Sequence, residues 1–182
     1  PLDAKLAPLG DYGGPTQTMA LLPGSPARNA AVDSTATSDQ RGFPIIGTAD
    51  IGAYEAGTFT NYNAFIWESL PTAGNGTITD PLHASTHDYD GDGQTNGDEW
   101  IARTDPGSAA SYHRVTQTAL SGSTLNVTFP TVLGRTYQLQ SSPNLANPWT
   151  NVGSPTAGTG GNVTLPVNIT GQTSYFFRVS VQ

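Results

Sequence analysis

Thr124-Leu125-Asn126-Val127-Thr128-Phe129 alternates polar and apolar residues without a break. Successive side chains of an extended strand point to opposite faces, so Leu125, Val127 and Phe129 share a face that must be buried. The same period returns near the C-terminus, where Phe177, Val179 and Val181 oppose Phe176, Arg178 and Ser180. Turn formers separate the neighbouring apolar segments: Ser121-Gly122, Leu133-Gly134, Ser142-Pro143-Asn144 and Gly158 to Gly161. Six strands are therefore expected, over 112–119, 124–129, 136–140, 149–152, 163–169 and 175–181. Short strands at even spacing, joined by such turns, predict an antiparallel β-sandwich over residues 112–182.

Upstream of this domain, residues 88–99 read Asp88-Tyr89-Asp90-Gly91-Asp92-Gly93-Gln94-Thr95-Asn96-Gly97-Asp98-Glu99. A hard cation such as Ca²⁺ takes six to eight oxygens at about 2.3–2.6 Å, which a short loop supplies only with carboxylates at alternate positions and a sharp turn between them. Asp88, Asp90 and Asp92 occupy positions 1, 3 and 5 of such a loop, and Gly93 the turn at position 6. Gln94 would offer its carbonyl, Asn96 would bind directly or through water, and Glu99 would reach back with both oxygens. Magnesium prefers few protein ligands, and zinc is disfavoured because cysteine is absent and only His87 adjoins the loop. Thr95, answered by Asp98, would cap a short helix running to Arg103. Pro106 disfavours helix at Asp105.

One loop with a stub helix departs from paired EF-hands. It resembles the single calcium loops of dockerins and thrombospondin type 3 repeats, where the ion is structural. The string from Asp88 through Trp100 to Thr104-Asp105-Pro106 is similar to a short module of large bacterial surface proteins. That resemblance implies Asp105 as an extra ligand and places the calcium-binding loop over 88–106. Trp100 and Ile101 are expected to pack in a core.

Residues 1–56 contain Leu6-Ala7-Pro8-Leu9-Gly10-Asp11-Tyr12-Gly13-Gly14-Pro15, then Asp39-Gln40-Arg41-Gly42, then Asp50-Ile51-Gly52-Ala53-Tyr54-Glu55. On residues alone these are Gly- and Pro-punctuated short strands, with Met19 to Leu22 as core. In order and content they resemble the C-terminal end of right-handed parallel β-helix surface proteins of the bacterial choice-of-anchor Q type. Arg41, Asp50 and Glu55 then close the last coil rather than catalyse. Fifty-six residues make only about two coils, and a solenoid is stable only when coils stack. The open face predicts a cover, from preceding sequence or a neighbouring subunit. The start at Pro1 reads as a processed product or part of something longer.

Residues 57–87 read as a connector. Phe59, Phe65 and Trp67 share a parity, which predicts a strand of mixed burial; the run is expected to pack on the chain's own domains or to form an arm that docks on a partner. His83 and His87 read as surface residues. N-x-[ST] sequons stand at Asn75, Asn126, Asn162 and Asn168. The run 134–153 with 175–179 resembles a C-terminal module of the same surface proteins.

Charge is uneven: residues 1–105 hold all 14 acids and four bases (−10), and residues 106–182 hold three arginines and no acid (+3). An acidic chain is a poor nucleic-acid ligand. No apolar run approaches the roughly 20 residues of a membrane span. There is no cysteine, and neither G-x-S-x-G nor H-E-x-x-H occurs, so an enzyme is not expected. The expectation is an all-β extracellular or cell-surface structural protein stabilised by Ca²⁺, forming a homopolymer through a β-edge or the aromatic arm. The alternatives are the C-terminal part of a large adhesin, or a module binding surface polysaccharide through Trp67, Trp100 or Trp149.

Overall fold

The computed structural model describes residues 2–70, 77–145, 148–171 and 176–182. The chain divides into two compact units, Pro1–Trp100 with Asp105–Ser111, and Ile101–Thr104 with Tyr112–Gln182. Its regular structure is mainly antiparallel β, with two short α-helices and one 3₁₀ turn among the described residues. None of these helices is long and apolar enough to cross a membrane.

The first unit holds α1 (Tyr62–Ser69), the 3₁₀ turn Pro81–His83 and the start of α2 (Asn96–Ala102). The second holds β1 (Gln117–Ser121), β2 (Thr124–Pro130), β3 (Thr136–Ser142), β4 (Thr150–Asn151), β5 (Thr156–Ala157), β6 (Asn162–Asn168) and β7 (Phe176–Val181). One sheet has the order β1-β2-β6; in the other, β3 pairs along its length with β7, while β4 and β5 pair with its two ends. All pairs are antiparallel. Val127 and Phe129 of β2 and Val167 of β6 meet Tyr137 and Leu139 of β3 in one core, each at most 6% exposed. The two sheets therefore face each other. The alternation that begins at Leu125 holds, with Leu125 itself half-buried at the margin.

The strand boundaries differ from expectation where local chemistry intervenes. Tyr112 to Thr116 is not strand, and β1 starts at Gln117. Thr116 N still donates to Thr128 O at 2.9 Å. Beyond that point the facing strand offers Pro130, which has no N–H for the ladder. β5 is two residues long, too short to show a period. β6 stops at Asn168, whose Oδ1 accepts from Thr170 N at 2.9 Å and turns the chain. Tyr175 lies outside the described residues, and β7 begins at Phe176.

Residues 2–56 form no regular strand. Their bridges, Leu6–Leu21, Gly10–Thr18 and Ser38–Pro44, are antiparallel, so the parallel pairing of stacked coils does not occur within this segment. Carboxylates hold the turns instead. Both Asp50 oxygens accept backbone N–H groups, from Asn29 at 2.5 Å and Ala56 at 2.7 Å. Glu55 does the same for Ile46 at 3.0 Å and Asp50 at 2.9 Å. Arg41, 5% exposed, pairs with Asp39 at 2.8 Å and donates to Tyr12 O at 3.1 Å and Glu55 O at 2.5 Å. Its guanidinium also lies 3.6 Å from the Tyr54 ring centroid. Satisfying backbone groups with side chains lets irregular chain be buried.

The aromatic run of 57–87 is not a strand. Asn61 caps α1, its Oδ1 accepting from Ala64 N at 2.9 Å, and Leu70, which precedes Pro71, is extended and ends the helix. Ala64, Phe65, Ile66 and Trp67 are all buried with Tyr12, Leu21, Tyr54 and Leu70, and Phe59 and Tyr62 pack against them. Burial on every side defeats a reading based on one parity. His83 is likewise not a surface residue: it is 4% exposed and meets the Trp67 ring edge-on at 4.1 Å. His87 is half-buried. Ile101, expected in a core, is 41% exposed.

Candidate metal centre

The loop is built by its own aspartates. Asp88 Oδ1 accepts from Gly91 N at 2.8 Å and its Oδ2 from Gly93 N at 2.9 Å. Asp90 Oδ1 accepts from Asp92 N at 3.1 Å, and Asp92 Oδ1 from Gln94 N at 2.7 Å. Each bond closes a short turn. The turning backbone needs φ of +94° at Gly93, a region L side chains rarely adopt.

Ligand oxygens of Asp88, Asp90 and Asp92 all lie within 4.8 Å of one another. Two oxygens bound to one cation at about 2.4 Å can be at most about 4.8 Å apart, so the three fit a single ion. Asp90 Oδ2 and Asp92 Oδ2 are buried from solvent and accept no hydrogen bond from the protein. Buried carboxylate oxygens without donors are costly, and a cation is the group that would satisfy them. The Asp90 carboxyl is held above its ordinary range, chiefly by lost hydration and then by the charges of Asp92, Asp88 and Asp105.

The remaining predicted ligands surround this cluster. Asn96 is fully buried; its Nδ2 donates to Leu82 O at 3.0 Å and Ala84 O at 3.1 Å, while its Oδ1 has no donor. Glu99 is fully buried one turn along α2, outside the three-aspartate convergence. Its charge joins burial in pushing the Tyr62 hydroxyl up to about 12. Gln94 is half-buried beside Asp92. Asp105 is exposed, and its Oδ1 accepts from Gly107 N at 3.0 Å.

The predicted cap of α2 forms in both directions. Asp98 N donates to Thr95 Oγ1 at 3.2 Å, and Thr95 N donates to Asp98 Oδ2 at 3.2 Å. Residues 85–87 clasp the helix start, with Asn96 N on His87 O at 2.7 Å and Gly97 N on Ser85 O at 2.9 Å. A Cβ at position 97 would stand 2.7 Å from Ser85 O, so glycine is required there. Tyr89 and Trp100 pack on the apolar core of the first unit, and Trp100 meets the Phe65 ring at 5.4 Å.

No protein-family model, curated protein or solved structure matches this chain. Function must be read from the groups themselves. Among the described residues, the aspartate cluster is the one group of three or more His, Asp or Glu side chains with metal-holding geometry. Arg41, Asp50 and Glu55 are engaged in turn-holding bonds. Of the three tryptophans, Trp67 is fully buried, Trp100 packs on the first core, and Trp149 is half-exposed beneath Arg178 at 4.5 Å. Of the sequons, Asn75 lies outside the described residues, Asn126 is half-buried in β2, and Asn162 and Asn168 are exposed on β6.

Sequence reasoning missed the clasp formed by Leu82, Ala84, Ser85 and His87. A signal existed in Gly97: glycine in a helix costs about 1 kcal/mol against alanine, so its presence at a helix start flags a close approach.

Proposed function

We propose that this chain is an extracellular structural subunit, stabilised by Ca²⁺ in an EF-hand-like loop, that assembles with copies of itself into a cell-surface filament or matrix. The observation that carries the reading is the convergence of Asp88, Asp90 and Asp92, with donorless oxygens of Asp90 and Asp92, on a loop anchored in the first unit's core. Calcium fits better than magnesium because the loop offers many protein oxygens and Asn96 adds a further donorless one. Asn96 and Glu99 start the helix that the ion would lock, and Asp105 would add a carboxylate from outside the loop. The anchoring favours a permanent staple over a switch.

Self-assembly is supported by uncovered surface. Leu6, Leu9, Met19 and Ile51, between 40 and 59% exposed, rim a groove of about 300 Å³ in the segment read as a β-helix end. Strand β1 lies at a sheet edge with all five residues exposed, Leu120 by 65%. Such edges and apolar faces invite pairing with another chain. In a large adhesin, preceding coils of the same polypeptide would cover the groove instead. Trp149 keeps a polysaccharide-binding reading in view as the second choice, since its ring is the tryptophan that is neither fully buried nor in a core cluster.

The test is electron microscopy and sedimentation of purified protein in calcium and in EDTA. Fibres or large assemblies in calcium, with lower melting temperature in EDTA, are expected. A monomer in both, with unchanged melting, refutes the proposal.

A further inference from the structure

We infer that the second unit carries a docking groove for the acidic first unit of another copy of this chain; the inference rests on the self-assembly reading above. The second unit contains Arg103, Arg114, Arg135 and Arg178 and no acid, a net charge of +4. The first unit contains all 14 acids with Lys5, Arg28 and Arg41, a net charge of −11, and one bound Ca²⁺ would leave it strongly negative.

Within the second unit, His113, Arg114, Val115, Phe177, Arg178 and Val179 line a groove of about 320 Å³. Arg114 and Arg178 are both exposed, and neither joins an ion pair among the described residues. Neutral groups orient both. Arg114 bonds the Tyr112 hydroxyl and lies 4.6 Å from that ring centroid. Arg178 Nε donates to Gln140 Oε1 at 2.8 Å, and its guanidinium lies 4.5 Å from the Trp149 ring centroid. Gln140 in turn donates to Asn151 Oδ1 at 2.9 Å. Stacking and neutral hydrogen bonds hold a guanidinium in place without cancelling its charge, and leave further N–H donors for a carboxylate. Two oriented cations stand on the exposed face of this groove, while Val115, Phe177 and Val179 pack against the second unit's core. Such a surface accepts a face that presents carboxylates.

The occupant is a second copy because the complementary charge sits in the same chain, at equal concentration. The first unit exposes Asp3, Asp11, Asp33 and Asp98. A contact of groove to acidic unit is heterologous, so it repeats from copy to copy and forms open filaments unless the rotation closes a ring. The contact is also salt-sensitive.

The test is sedimentation velocity in calcium, at low and high salt, on wild type, Arg114→Glu/Arg178→Glu, Arg178→Gln and Lys5→Glu, with melting curves as a folding control. The double reversal should weaken association at least tenfold and flatten its salt dependence. Arg178→Gln should weaken it less, and Lys5→Glu, which makes the first unit more acidic, should leave it unchanged or tighter. Wild-type association by the double reversal overturns the inference, as does equal weakening by Lys5→Glu, which would indicate net charge alone. If the arginine reversals spare association but abolish retention on polygalacturonate, the groove is a glycan site and the inference fails while self-assembly stands. If wild type does not associate in calcium at all, both fall.

Discussion

Replacing Asp90 by asparagine should change stability in opposite directions with and without calcium. Asn keeps an Oδ1 able to accept from Asp92 N, the bond Asp90 makes at 3.1 Å, so the turn survives. Without an ion, Asp90 faces the like charges of Asp88 and Asp92, with ligand oxygens within 4.8 Å, each worth roughly 0.9 kcal/mol of repulsion even at the dielectric of water. Asp90→Asn should therefore stabilise the EDTA-treated protein by about 2 kcal/mol. With free calcium at 100 times the dissociation constant, binding stabilises wild type by about 2.7 kcal/mol. The variant, short of one anionic ligand, should lose most of that. Loss of all of it takes the difference between variant and wild type from about +2 kcal/mol in EDTA to about −0.7 kcal/mol in calcium, a melting shift of several degrees one way and of about 1–3 °C the other. Melting followed by circular dichroism at matched ionic strength, in EDTA and in millimolar calcium, measures it. Equal destabilisation in both conditions would mean the aspartates serve only the turns, and the metal reading would be wrong.

Gly97→Ala should cost about 1–3 kcal/mol in urea unfolding, because its Cβ would stand 2.7 Å from Ser85 O. Gly161→Ala, with open space around it, should stay within about 0.5 kcal/mol in the same assay. Arg41→Met should destabilise by about 3–5 kcal/mol, since it leaves the Asp39 carboxylate, whose side chain is 2% exposed, without its cation; soluble yield and urea midpoint report it. Glu68 accepts from the Tyr54 hydroxyl and from Gly57 N at 2.7 Å, yet burial raises its pKa above the ordinary 4.5. A raised folded value favours the protonated form, so its contribution is fully present below about pH 4.5 and lost as pH rises through the raised value. The melting-temperature difference between wild type and Glu68→Gln should accordingly change over that window and be flat above it; a constant difference across it contradicts the argument.

The sandwich core was legible because Val127 and Phe129 alternate with polar neighbours and strand geometry turns alternation into one buried face. The aspartate cluster was legible because Asp88, Asp90 and Asp92 sit at alternate positions within five residues, so spacing alone brings them together. Thr95 and Asp98 were equally local. Trp67 and His83 were not. Their burial depends on α1 lying in a core assembled from residues far away in the chain, and no period within Phe59 to Trp67 carries that information. The strand reading failed for the same reason: the Asn61 cap and the Leu70-Pro71 stop were weaker signals than a run of aromatics.

Taken alone, the sequence determined which segments could be strands, where the loop would turn, and how charge divides along the chain, because each depends on neighbours in sequence. Only the tertiary structure decided that Asp90 and Asp92 each keep a buried oxygen without a donor. It alone placed the loop on the core through Asn96, Tyr89 and Trp100, and it alone oriented Arg114 and Arg178 beside one groove. Those properties depend on distance and burial, which arise from contacts between residues far apart in the chain.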